Sequence, residues 1–218
     1  MPDSTSKPER PGGSVASRTG GSSEADALIE SARAVLERRG GEGFTVHEVL
    51  SEAGLGTRAF YRHFASKEAL VQEVFAFAAE READRLRDRM RGTDSALGAV
   101  TAWIEARLEL AFDEQVASSM RVLSLEAQLA SQQTPDRLES AFDCMLAPLI
   151  DQLRRGHLDG SFALADPGND ARALHDVVWG ETLRQWSGFG LRTDPAAAKR
   201  QVLGFCLRAI GANPEYHR

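Results

Sequence analysis

From residue 24 to about residue 210 the apolar positions recur every three or four residues, and convincing strict alternation is absent. That period predicts helices rather than strands. In "SEADALIESARAVLERRGG" the residues Leu28, Ala32, Val35 and Leu36 share one face, and Gly40-Gly41 marks a stop. "TVHEVLSEAG" opens with Thr45 and Glu48 in a capping-box pattern and ends at Gly54. "TRAFYRHF" is a third, short helix. A long one follows, with Ser66 as its N-cap, Glu68 in its first turn and Gly92 at its end. Further helices are predicted over roughly residues 94–112, 115–132, 136–155, 169–187 and 195–210. The last begins at Asp194-Pro195, a cap followed by proline at the first helical position. The chain therefore reads as all-α: three short helices, one long connecting helix, then a larger bundle.

Residues 1–23 break this pattern. Fifteen of the 23 are Pro, Gly, Ser or Thr, and only Met1, Val15 and Ala16 are apolar. Such a segment buries too little surface to offset its ordering entropy, so a disordered tail is expected there. A second short tail is expected at 214–218. No apolar run approaches the roughly 18 residues of a membrane span, and the tail has no apolar signal core. Cys144 and Cys206 lie among apolar residues without disulfide or metal spacing. These features point to a cytoplasmic protein with no membrane partner, no cofactor and no metal.

Charge changes the picture in one place. The net charge is −6, but residues 1–70 carry nine basic and ten acidic residues, and the remainder carries 17 and 22. Within "GTRAFYRHFASKEAL" the residues Arg58, Arg62, His63 and Lys67 sit among aromatics, with no acid before Glu68. On a helical wheel Phe60 and Phe64 form an inward stripe. Arg62 then points outward with Arg58 and Ala59 beside it, and Tyr61 and His63 fall on the flanks. Together with the preceding helix and the "GLG" turn, Gly54 to Gly56, this is a helix-turn-helix. An arginine fork can read guanine, and a small alanine lets the helix axis approach the bases. Tyr61, His63 and Thr57 can donate to phosphates, as can Lys67 at the next helix start.

An enzyme is excluded by what is missing: five histidines occur without an HExxH, and neither a P-loop nor a GxSxG is present. The competing reading is a helical ligand-binding or adaptor protein without DNA binding. It draws on Leu50 and on Glu48, Glu52 and Glu68 around the basic helix.

The stretch "ALIESARAVLERRGGEGFTVHEVLSEAGLGTRAFYRHFASKEAL" resembles the DNA-binding domain of TetR-family transcriptional regulators. The carriers are Thr45 opening the second helix, Ala53-Gly54 before the turn, Tyr61 to Phe64 ending the third helix, and Ser66-Lys67-Glu68 opening the fourth. Leu50 replaces the family's usual small alanine, and Arg58-Ala59 stands where a glycine usually precedes the aromatic pair. The resemblance implies that Thr45, Tyr61 and Lys67 touch the DNA backbone. It places Thr57, Arg58, Ala59 and Arg62, joined by His47, at base-reading positions. It also implies a domain order: residues 24–70 bind DNA, and residues 71–213 bind an effector and dimerise.

The partners implied are double-stranded operator DNA of near-palindromic sequence, a second copy of the chain, and a small-molecule effector. Trp103, Phe112, Met120, Met145 and Trp179 could wall an effector cavity, with Arg107, Glu126 or His175 as polar handle. The apolar stripes of the last two helices would form the dimer interface, through Leu174, Val178 and Trp186 on one and Val202, Leu203 and Cys206 on the other.

Overall fold

The computed structural model describes residues 24–39, 44–114, 123–124, 135–187 and 194–212. The expected tails at 1–23 and 214–218, Gly40-Gly41, Met120, Glu126 and most of the segment 115–132 lie outside the described residues. Among the described residues the chain forms eight helices and a single isolated β-bridge between Phe162 and Ala212. In order they are α1 (Glu24–Arg39), α2 (Val46–Ala53), α3 (Thr57–His63), α4 (Lys67–Arg91), α5 (Ala96–Phe112), α6 (Pro135–Leu158), α7 (Pro167–Ser187) and α8 (Pro195–Ala209). None of them is long and apolar enough to cross a membrane.

The helix ends follow the local chemistry. The Thr45 hydroxyl accepts from the Glu48 amide while the Glu48 carboxylate accepts from the Thr45 amide, so two orphan donors of α2 are satisfied reciprocally. Gly54 closes α2 at φ 65°, a left-handed conformation that glycine adopts without a Cβ penalty. Ser66 caps α4 through the Ala69 amide, and Asp194 caps α8 through the Ala197 amide. Side-chain oxygens at these points set where each helix begins.

Two apolar cores result. The first gathers Leu28, Ala32, Val35 and Leu36 of α1 with Phe44, Val49, Phe60 and Phe64. It continues past residue 70 into α4, taking Leu70, Val71, Val74, Phe75 and Ala79. The second gathers Leu86 and Met90 at the far end of α4 with the inner faces of α5, α6, α7 and α8. Helix α4 is thus one wall of both cores, and Phe142 of α6 packs against both.

On α7 and α8 the apolar stripes also pack inward. Leu174, Val178, Val202 and Cys206 are at most 5% exposed and belong to the core of the chain. Trp186 is buried, with its indole N–H donating to the Leu110 carbonyl at 3.3 Å, and Leu203 packs partly against the same core. The period of a stripe fixes which face is covered, not what covers it. Here α5 packs against both α7 and α8. The residues these helices turn outward are Leu183 and Phe205, 44% and 52% exposed.

One close approach holds the end of α6. Phe162 is fully buried, and a Cβ at Gly156 would lie 2.1 Å from the Cδ2 of its ring. Replacing Gly156 by alanine should therefore cost about 1–3 kcal/mol through overpacking. Urea denaturation would show this as a lower midpoint at unchanged slope.

Candidate nucleic-acid interface

The recognition surface is built from α2, the tight turn and α3. Phe60 is fully buried and Phe64 is 5% exposed, their ring centroids 5.8 Å apart. Phe64 sits just beyond the helix, in extended backbone, and still completes the anchor. With that face pinned, Thr57, Arg58, Tyr61, Arg62 and His63 lie on the surface, as do Thr45 and His47 of the preceding segment. Tyr61 is 64% exposed although its ring edge meets Phe60 at 5.2 Å. Lys67 is half-buried at the start of α4, its ammonium 5.0 Å from the centroid of the Phe44 ring. The fold thus brings eight of the nine expected contact residues to the surface of one small domain.

Ala59 is the exception. It is 8% exposed, not outward beside Arg62. On the helix it lies on the same flank as His63, and α1 packs against α3. Ala59 is therefore turned toward the domain's interior rather than outward.

Glu24 makes that flank visible. Its carboxylate takes Nη1 of Arg62 at 2.7 Å and Nε2 of His63 at 3.1 Å. The His63 hydrogen bond, helped by the charge of Arg62, holds the Glu24 carboxyl below the usual carboxylate range. Arg62 is thus held by an acid at the start of α1. Sequence alone gave no signal of this pair, because the partners are 38 positions apart.

The acids around the basic helix are themselves neutralised. Arg38 clasps Glu52 with both nitrogens, at 2.6 and 3.0 Å, and Arg39 reaches Glu48 at 3.0 Å. The Arg38 hydrogen bonds stabilise the Glu52 carboxylate as an anion, and the Thr45 amide and hydroxyl, with the charge of Arg39, do the same for Glu48. Their negative charge, the main support for an adaptor that avoids DNA, largely cancels at this surface. Leu50, its other support, is simply buried in the first core.

A second cluster lies inside the bundle. Trp103 is fully buried, Arg107 is 4% exposed and His175 is 7% exposed. Arg107 is paired at 3.1 Å with Glu82 of α4, which Arg85 also binds at 2.7 Å. Burial pulls the Arg107 guanidinium down while Glu82 pulls it up, and a guanidinium keeps its proton at neutral pH. Burial, with the charge of Arg107, drives His175 down to about 4, so its ring is neutral at pH 7. That ring stacks on Trp179 at 6.3 Å and meets Phe142 at 5.7 Å. Of the other expected effector residues, Met145 is buried in the same core and Phe112 is half-buried.

Comparison with known proteins agrees with this geometry. The family model for "Bacterial regulatory proteins, tetR family" matches residues 28–74. The HTH-type transcriptional repressor KstR2 of Mycobacterium tuberculosis is 29% identical over 176 residues, covering 78% of this chain and 82% of its own. Two solved structures share the fold. RolR in complex with resorcinol has a TM-score of 0.68 at 17% identity, over 88% of this chain and 90% of that one. FadR from Bacillus subtilis in complex with stearoyl-CoA has a TM-score of 0.58 at 19% identity, over 84% and 97%. A helix-turn-helix with an outward basic helix, carried on an all-helical bundle, defines a DNA-binding regulator. Residues 28–74 match the model of that family, and over most of its length the chain is similar to a repressor of this kind.

The sign of the His175 shift gives a testable outcome. Its folded value lies below the ordinary 6.5, so the unfolded chain binds the extra proton first on acidification. The stability this group contributes is complete above 6.5 and is lost as pH falls toward about 4, by about 2–3 kcal/mol. His175→Phe should lose correspondingly less stability between pH 7 and pH 4, measured by urea denaturation at each pH.

Proposed function

We propose that this chain is a homodimeric cytoplasmic repressor that binds a near-palindromic operator and is released from it by a small hydrophobic or aromatic effector. The observation that carries the reading is the exposed helix α3. Two buried phenylalanines fix it, and Arg58, Tyr61 and Arg62 stand free of the core. The relative KstR2 is named a repressor, and RolR and FadR were solved with small molecules bound.

In this reading Arg58 and Arg62 read base edges, with Thr57 and His47 beside them. Thr45, Tyr61, His63 and Lys67 hold phosphates. Arg62 must leave Glu24 to reach a base, so part of its interaction with guanine replaces an existing ion pair. Arg62→Ala should lower discrimination at one base position per half-site by about 1–3 kcal/mol. Lys67→Ala should instead weaken binding to all sequences and reduce the salt slope by about one contact per subunit. Binding curves on operator and scrambled DNA at several salt concentrations separate the two. A loss of affinity in both variants without a change in preferred sequence would reverse the assignment.

For the dimer, the supporting feature is the open groove of about 470 Å³ between α7 and α8. Phe205, Gly180 and Arg184 are among the residues that line it, and Leu183 is exposed on α7. A Cβ at Gly180 would meet nothing within 4 Å, so a partner helix can come close there. An isologous pairing through this groove would present two copies of α3 to a two-fold operator. Phe205→Glu and Leu183→Glu alter exposed positions and should leave the fold intact. Each should give a monomer by light scattering. A dimeric Phe205→Glu protein would move the interface elsewhere.

Release by an effector needs the ligand to prefer the conformation that cannot bind DNA. Helix α4 joins Lys67 at the DNA surface to Met90 in the bundle core, so a shift of α4 respaces the two α3 helices. Linkage demands reciprocity: operator weakens effector binding by the same factor by which effector weakens operator binding, typically about 5–150-fold. Titrations of effector with and without operator measure it. A ligand with one affinity in both titrations would remove the release mechanism.

A further inference from the structure

Four buried polar atoms in the bundle have no hydrogen-bond partner among the described residues: Gln152 Oε1 on α6, and Trp103 Nε1, Arg107 Nε and His175 Nδ1 on α5 and α7. Buried polar groups are normally satisfied, and each exception asks for a missing partner. Trp103 and Arg107 are one turn apart on α5, and the charge of Arg107 is felt at His175 on α7. The indole N–H and the guanidinium N–H are donors only, and Nδ1 of a neutral imidazole donates in one of its two tautomers. For the three on α5 and α7 the missing partner is therefore an acceptor.

Charge sharpens its identity. Arg85, Arg89 and Arg107 are answered here by two carboxylates, Glu82 and Glu109. One positive charge is left over, and the guanidinium carrying the unpartnered N–H is the buried one. The surroundings are aromatic: His175 lies between Trp179 and Phe142, and Phe142 also meets Phe75 at 5.6 Å. Donors grouped in apolar surroundings would orient a ligand by a single polar end.

We propose that the bundle core is a binding site for the carboxylate of an apolar acid, with Arg107, Trp103 and His175 as donors and the aromatic rings holding the hydrocarbon part. The proposal rests on the effector reading above and names the chemical class of that effector. Arg107 is then shared between ligand and Glu82. A ligand carboxylate on the guanidinium weakens its hold on Glu82, and Glu82 lies on α4, the helix that begins at the DNA surface. The site and the lever arm thus meet at one side chain.

The test uses the full-length protein and calorimetric titration with benzoate, 2-naphthoate and dodecanoate, each beside the primary alcohol of the same carbon skeleton. At least one carboxylate should bind about tenfold or more tightly than its alcohol, as a charge-assisted contact requires. Arg107→Gln should erase that preference. Glu82→Gln removes the competing anion and should tighten carboxylate binding several-fold, a gain that misfolding cannot mimic. Equal affinities for acid and alcohol, no carboxylate binding up to about 1 mM, or no gain in Glu82→Gln would each overturn the proposal. Operator binding in the presence of a bound carboxylate is read separately. Unchanged operator affinity would overturn effector release while leaving the carboxylate site in place.

Discussion

A guanidinium taken out of water needs an answering carboxylate, and for Arg107 that carboxylate sits on another helix. Glu82 of α4 meets it at 3.1 Å and is itself held by Arg85, which also reaches the Ala106 carbonyl at 2.9 Å. Removing one partner of such a pair typically costs about 3–5 kcal/mol, because the other charge is left buried. The pair therefore fixes the register of α4 against α5 more tightly than apolar contact does, since apolar faces can slide. Burial penalises the Glu82 carboxylate, and the two arginines outweigh that penalty, keeping it ionised. The geometry of both halves of the molecule is referred to this point.

The DNA-binding half shows how an acidic chain can present a basic surface. It does so by local pairing, not by bulk charge. Arg38 and Arg39, at the end of α1, compensate Glu52 and Glu48, so the exposed arginines of α3 face little opposing field. Glu24 does the reverse at the other end of α1 and covers Arg62 until a stronger acceptor arrives. One helix thus screens the acids near the interface and restrains its most outward cation. Exposed pairs of this kind exchange partners at little net cost.

Much of this was legible in the sequence. The caps at Thr45, Ser66 and Asp194, the glycine at residue 54 and the paired phenylalanines act over a few residues, and so the order and ends of the helices could be read directly. The resemblance carried by Thr45, Tyr61, Phe64 and Lys67 is likewise local. At two places the structure shows neighbours that the sequence could not. The stripes of α7 and α8 were assigned to a second subunit and Ala59 to DNA, and both are covered by helices of the same chain. A helical period says that a face is buried, while the identity of its neighbour is a property of the tertiary fold. Glu24 with Arg62, and Glu82 with Arg107, were invisible for the related reason that long-range pairs leave no periodic trace.

The first core does not stop where the helix-turn-helix stops. Val71, Val74, Phe75 and Ala79 complete it from α4, and Ala141 of α6 closes it. In the language of modular evolution, the reading head has no clean seam at residue 70. A chimaera joined there would expose the apolar face beneath Phe60 and Phe64 unless the incoming helix repeated the same spacing. Recombination between such regulators is favoured at a join within α4 beyond Ala79, where the two cores hand over. There a new bundle can be exchanged without unpacking the helix-turn-helix.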